Sequence, residues 1–232
     1  MRYDTILLDS DQTLLDFAAD ERAALCATLR LFGAPDDDVH CALYHGINES
    51  LWRQFERGEV TKPELLERRF ALFAREVGIN AEPAALNASF LEHLCALGGR
   101  VLPGARELCL KLCETHKLYV VTNGAARPAR TRLANAGLAH LFSHIFVSEE
   151  LGTQKPEPVF FDRVFAALGD PPRTRAVLLG DSLTSDMAGA KAAGIAGCWL
   201  CPDRRHPDAE GAYDWRIAEP EEFLPIVWGG DA

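Results

Sequence analysis

From Leu102 onward the chain alternates short apolar runs with stretches of helical periodicity, and that alternation leaves little choice of fold. Runs at Leu118 to Thr122, Ile145 to Val147, Ala176 to Leu179 and Gly197 to Leu200 are short and continuously apolar, the pattern of strands covered on both faces. Between them lie helical patterns through Leu108 and Leu112, through Leu133, and through Val159, Phe161, Val164, Phe165 and Leu168, then an Ala/Gly-rich one ending at Gly194. A short strand at Trp215 to Ile217 and a helix from Pro220 follow. Strand, helix, strand repetition predicts a parallel sheet with right-handed crossovers. Upstream, Ile6, Leu7 and Leu8 form one more such run, so the first strand belongs to the same α/β core.

The stretch between these two parts reads as helix throughout. Leu25, Leu29 and Phe32 recur at helical spacing before Gly33; Leu43, Ile47, Leu51, Trp52 and Phe55 do so before Gly58. Thr61 caps a third helix, with Pro63 just inside it and Glu64 three residues after the cap. That helix carries Leu65, Leu66, Phe70, Leu72, Phe73 and Val77 and stops at Gly78, and a fourth runs from about Glu82 to Leu97. Pro103 and Gly104 mark the return to strand–helix alternation. The predicted division is a core of residues 1–15 and 98–232 with an all-helical insertion over 16–97.

Composition narrows the function classes. With 232 residues, 48% of them hydrophobic, the chain can bury a sizeable core. Twenty-four basic residues against thirty-four acidic ones give a formal charge of −10 with no Lys/Arg block, which argues against a nucleic-acid polymer as partner. No apolar run approaches the ~20 residues that span a bilayer. Charge interrupts the N-terminal MRYDTILLDSD before a signal-peptide core could form, so no membrane partner and a cytoplasmic location are expected. Seven scattered cysteines do not make a disulfide framework and read as small buried hydrophobes. Cys198 and Cys201 form a CxxC, but it lies in a strand pattern and has no second ligand pair at zinc spacing. His140 and His144 flank Leu141 and Phe142, the end of a helix running into a strand rather than a metal pair.

Four polar signals sit at or just after the C-terminal ends of predicted strands, the edge where open α/β sheets bind ligands. They are Asp9 with Asp11 and Thr13, Thr122 with Asn123, Lys155, and Asp181 with Asp186. Each alone has a plain structural reading: a DxD turn, a helix cap, a solvated lysine, a turn aspartate. Together at one edge they describe a site. Residues two apart in an extended chain share a face, so Asp9 and Asp11 point the same way. Carboxylates of Asp9, Asp11 and Asp181 converging in one crevice repel unless a cation joins them, and Mg²⁺ suits few protein carboxylates plus phosphate oxygens. Lys155 and the Thr122 hydroxyl with the N–H that follows are then phosphate-binding groups. Asp9 is ionised at neutral pH and can attack phosphorus without a base. Asp11 can protonate the departing alkoxide and then activate water, while Asp186 orients Lys155 or a metal-bound water.

These residues resemble the haloacid dehalogenase-like hydrolase superfamily, whose four motifs match DSDQT at Asp9 to Thr13, Thr122-Asn123, Lys155-Pro156 and GDSLTSD around Asp181 and Asp186. The resemblance implies a Rossmann-like core with an inserted α-helical cap that closes over the crevice. It further implies Mg²⁺ held by Asp9, Asp181 and the backbone carbonyl of Asp11, and a phosphate contact at Asn123. Glycine is common between the second aspartate and the threonine, and here the residue is Gln12. That position, LWRQFERGEVT in the insertion, SEELGTQKP, and GCWLCPDRRHPDAEGAYDW are similar to the noncanonical pyrimidine 5'-nucleotidase branch. The resemblance implies a small phosphate ester, a nucleoside 5'-monophosphate first, as substrate.

Other readings stay open. A sugar-phosphate mutase, or a phosphatase for another small ester such as phosphoglycolate, keeps every motif. Asp11 argues against a dehalogenase. A phosphonate hydrolase needs a Schiff-base lysine, and Lys62, beside Pro63 in a first helical turn, reads as solvated. A silent binding module would not need all four motifs. Within the insertion, His45, Asn48 and Trp52 share a helix face; Asn48 is the better candidate for a substrate contact, and Trp52 reads first as core. The sequence sets no oligomeric state.

Overall fold

Six parallel strands form the sheet of the computed structural model, which describes residues 2–203 and 211–229. The predicted segment running through residues 204–210 therefore lies outside the described residues. The strands are β1 (Thr5–Leu8), β2 (Lys117–Thr122), β3 (Phe142–Val147), β4 (Ala176–Gly180), β5 (Ala196–Leu200) and β6 (Trp215–Ile217), in the order β3-β2-β1-β4-β5-β6. The order runs outward in both directions from β1 and β4, so a crevice opens outside their C-terminal ends. Leu8 pairs with both Val120 and Leu179, and the Asp9 N–H donates to the Leu179 carbonyl at 2.9 Å. Asp9 is thus the first residue beyond the ladder, at that crevice.

Alternation along the strands divides the core into two layers. Ile6, Leu8, Val120, Val177, Leu179 and Cys198 face the helices Ala105–Cys113 and Ala126–Asn135, represented by Leu108, Leu112 and Leu133. Leu7, Val121 and Leu178 face the opposite way, onto Phe160, Phe161, Val164 and Phe165 of the helix Pro158–Ala167. Each such fully buried leucine contributes about 1.5–3 kcal/mol. Cys198 lies in one layer and Cys201 in a separate cluster with Trp199 and Met187, so the CxxC is not a facing pair. His144 packs on the ring of Phe146.

A tight turn links β1 to the point where the chain leaves the core. Ser10 O accepts from the N–H groups of both Leu14 and Leu15, and Gln12 N–H donates to Leu15 O. The outgoing chain is tied to the returning one through Leu102 N–H to Leu14 O and Asp16 N–H to Arg100 O. Gln12 sits at φ 58°, the left-handed region that costs a residue with Cβ roughly 1–2 kcal/mol. The turn therefore explains why glycine is common there. Gln12→Gly is expected to stabilise the fold by about 0.5–1 kcal/mol, part of the relief being offset by the looser unfolded chain. Thermal unfolding with an unchanged or lower midpoint would contradict this.

The chain divides into two compact units, Met1–Asp16 with Gly99–Ala232, and Phe17–Gly98. The second consists of four helices, α1 (Phe17–Leu31), α2 (Asp38–Glu56), α3 (Lys62–Val77) and α4 (Pro83–Leu97). Thr61 and Glu64 form a reciprocal capping box at the start of α3, and Gly78 ends it in the left-handed conformation. Leu25, Leu29, Tyr44, Phe70, Phe73, Leu86 and Phe90 make its core. Two cysteines depart from the expected burial, since Cys26 and Cys113 are partly exposed. Among the described residues, no helix is long and apolar enough to cross a membrane.

Candidate active site

Lys155 organises the crevice. Its side chain is 2% exposed, and its ammonium donates to Oδ1 of Asp9 at 2.6 Å, to Oδ1 of Asp186 at 2.6 Å and to the Val121 carbonyl at 2.9 Å. All three ammonium protons are used. Among the described residues, Asp9, Asp181 and Asp186 form a group whose ligand oxygens lie within 4.8 Å of one another. Three carboxylates against one ammonium leave an excess of negative charge in a largely buried site. Burial pushes the Asp9 carboxyl up to about 7, with Lys155 opposing that shift and Asp186 and Asp11 adding to it. Asp181 is raised as well, by burial first and then by Asp9 and Asp186. Burial alone would lower the Lys155 ammonium, yet Asp186 and Asp9 outweigh it and hold the group charged. A hard divalent cation with oxygen ligands fits this donor set.

The surrounding chain fixes these groups. Asn123 brackets the backbone of Lys155: its Nδ2 donates to Lys155 O at 2.9 Å and its Oδ1 accepts from Lys155 N–H at 3.0 Å. Its side chain thereby ties the end of β2 to the lysine. The Thr122 hydroxyl, at the end of β2, accepts from Gly124 N–H. Asp186 lies in a π-helical turn, Leu183–Met187, and its Oδ2 accepts from Ser182 N–H. Both Asp186 oxygens are engaged, which makes it a holder of Lys155. The Asp181 carbonyl accepts from Trp199 Nε1 at 2.8 Å, an anchor across from β5.

Gly180 leaves the space that Asp186 occupies. A Cβ there would lie 2.3 Å from the Asp186 carboxylate. Gly180→Ala is expected to displace Asp186 and with it Lys155, costing about 1–3 kcal/mol of stability and at least about tenfold in turnover. A variant with wild-type kinetics would show that the Asp186 position is immaterial.

Asp11 has a different partner. Arg132, in the helix Ala126–Asn135, donates from Nη1 to Asp11 Oδ1 at 2.6 Å. Its side chain is 2% exposed, whereas that of Asp11 is 29% exposed. Sequence reading missed Arg132, because the partners are 121 positions apart and a helical arginine in ARPARTRL reads as solvated.

The residues expected to contact substrate from the insertion are engaged inside the helical unit. Asn48 is buried; its Nδ2 donates to Glu21 Oε1 at 2.6 Å and its Oδ1 accepts from Arg69 at 3.4 Å. His45 Nδ1 reaches the other Glu21 oxygen at 2.7 Å, and Arg69 also binds Asn87. Trp52 packs edge-on against Phe55. Lys62 corrects the sequence reading: it is buried, not solvated, with its ammonium 5.9 Å from the Trp52 ring centre.

A family model described as haloacid dehalogenase-like hydrolase matches residues 3–194. The chain belongs to the haloacid dehalogenase-like hydrolase family. The HAD-hydrolase YfnB of Bacillus subtilis is 36% identical over 97% of this chain and 96% of its own. A crystal structure of that protein bound to magnesium has a TM-score of 0.91, covering 98% of this chain and 99% of the other. The pyrimidine 5'-nucleotidase PynA of Streptococcus pneumoniae is 34% identical over 92% of this chain and 91% of its own. The pyrimidine 5'-nucleotidase YjjG of Escherichia coli is 30% identical over 98% and 99%. Haloacid dehalogenase-like hydrolases are enzymes, and the likeness runs over nearly the whole length of this chain and of these relatives.

Proposed function

We propose that the chain is an Mg²⁺-dependent phosphoric monoester hydrolase that works through an aspartyl-phosphate on Asp9, with pyrimidine nucleoside 5'-monophosphates as its substrate class. The observation that carries the reading is the buried Lys155 ammonium bridging Asp9 and Asp186 beside Asp181. A carboxylate held this way is aimed and unable to wander, and the lysine offsets its repulsion from a phosphate dianion. Asp9 attacks phosphorus, the bond to the ester oxygen breaks, and Asp11 gives that oxygen its proton. Asp11, now a carboxylate, takes a proton from water as the water oxygen attacks phosphorus, which releases orthophosphate and restores Asp9. The Thr122 hydroxyl and the Asn123 N–H offer donors to the phosphate oxygens. Asp9, Asp181 and the Asp11 carbonyl would hold Mg²⁺, with Asp186 kept for Lys155. Bound there, the ion neutralises charge on the carboxylates and the transferring phosphoryl group. The pyrimidine nucleotide assignment rests on the two nucleotidase relatives.

A screen of phosphate release from nucleotides, sugar phosphates, phosphoglycolate and p-nitrophenyl phosphate tests the substrate class. Pyrimidine nucleoside monophosphates are expected to give the highest kcat/KM; uniform activity across nucleoside monophosphates, or a sugar phosphate leading, would overturn it. Metal linkage gives a further check. The Asp9 carboxyl is raised from about 3.9 unfolded to about 7 folded. Stability from that shift is present at acid pH and is lost as pH rises through about 7. Below that pH Mg²⁺ has to displace a proton. The rise in Tm on adding Mg²⁺ is therefore expected to be larger at about pH 8 than at about pH 5.5, and equal rises would contradict the metal assignment.

A further inference from the structure

Two aspartates two positions apart are held by two different cations. Lys155 takes Asp9, and Arg132 takes Asp11. The second pair is the less expected, because a buried guanidinium reaches outward to a partly exposed carboxylate. The geometry of the carboxylate bears on what the pair does. Oδ1 is bound to Arg132, while Oδ2 is turned toward Gly124, where a Cβ would stand 3.5 Å from it and 3.2 Å from the Thr122 hydroxyl. The free oxygen of Asp11 therefore faces the end of β2, on the side where the phosphate donors stand.

The arginine is itself fixed. Leu133 beside it is fully buried in the core, and the returning chain presses on the same turn of helix at Gly99, where a Cβ would lie 2.9 Å from the Arg132 carbonyl and 2.8 Å from Asn135 Cβ. A guanidinium anchored this way gives Oδ1 one charge-assisted hydrogen bond from a fixed place, which restricts the rotation of the carboxylate.

We infer that Arg132 is the positioning residue of Asp11: it holds Oδ1 so that Oδ2 alone addresses the ester oxygen and the hydrolytic water. The inference rests on the aspartyl-phosphate reading, in which Asp11 gives its proton to the ester oxygen as the bond from that oxygen to phosphorus breaks and the bond from Asp9 forms. Its consequence is selective by leaving group. A p-nitrophenolate departs without a proton, whereas the more basic phenolate of phenyl phosphate needs one.

The test compares kcat/KM for p-nitrophenyl phosphate and phenyl phosphate, two esters of nearly the same shape, in wild type, Arg132→Met, Arg132→Lys, Asp11→Asn and the Asp11→Asn/Arg132→Met double variant. Arg132→Met is expected to lower phenyl phosphate about tenfold or more and p-nitrophenyl phosphate by less than about twofold, with Lys restoring part of the difference. The double variant is expected to be no more selective than Asp11→Asn alone. A merely structural arginine would lower both esters equally. Equal falls, or a phenyl to p-nitrophenyl ratio that stays constant or rises in either Arg132 variant, would overturn the inference. If Arg132→Met does not fold, the Lys variant carries the same comparison. Should Asp11→Asn itself lack the leaving-group dependence, the acid/base reading fails; should Asp11→Asn show it and the Arg132 variants not, only the role of Arg132 fails.

Discussion

Replacing Asp9 by Asn is expected to lower phosphate release by at least about four orders of magnitude. The amide keeps the volume of the carboxylate but cannot act as the nucleophile, and no other carboxylate stands where Asp9 does, first beyond β1 and bound to Lys155. The fold is expected to survive. The change removes one of three neighbouring negative charges, which relieves repulsion with Asp181 and Asp186, and Lys155 retains Asp186 and the Val121 carbonyl. Circular dichroism and thermal unfolding near the wild-type values, together with lost turnover, would be the expected pair of results. Substantial residual turnover in a preparation free of other phosphatases would remove Asp9 from the role of nucleophile.

Lys155→Met is expected to have the largest combined effect. The ammonium makes three hydrogen bonds in a buried position, two of them to carboxylates at 2.6 Å. Its loss leaves Asp9 and Asp186 facing each other with Asp181 close by, a case of uncompensated buried charge worth about 3–5 kcal/mol. Turnover is expected to fall by at least about 100-fold, since neutralisation of the charge on the phosphoryl group and the aim of Asp9 are lost together. Denaturant unfolding measures the first effect and steady-state kinetics the second. Arginine is not expected to rescue either, because a planar fork cannot direct three bonds from one point. Wild-type stability in Lys155→Met would mean that the three-way contact contributes nothing to the fold.

The parts of this site that could be read in the sequence are those written in local pattern. Asp9 and Asp181 each follow a strand whose apolar run is continuous because both faces are covered, which periodicity shows directly, whereas Lys155 lies one short helix beyond the half-exposed edge strand β3. The Thr61 and Glu64 capping box is likewise a relation between neighbours. Arg132, Glu21 and Arg69 were invisible for the opposite reason: their meaning comes from partners far along the chain, and nothing near them distinguishes a buried charge from a solvated one. A first-turn lysine beside a proline is ordinarily wet, whereas Lys62 is buried by surroundings that the fold brings to it. Gln12 was noticed as an oddity of sequence, but its left-handed backbone, which explains the oddity, is a property of the turn that the hydrogen bonds of Ser10 and Leu15 impose.

Covalent trapping of the intermediate tests the central claim most directly. The protein would be mixed with Mg²⁺ and phosphate ester, quenched in acid within the turnover time, treated with borohydride and digested for mass spectrometry. An acyl phosphate is reduced under these conditions and a free carboxylate is not. The account predicts reduction at Asp9 alone, dependent on substrate and absent from Asp9→Asn. Label at another residue, or rapid turnover with no labelled residue at any quench time, would contradict it.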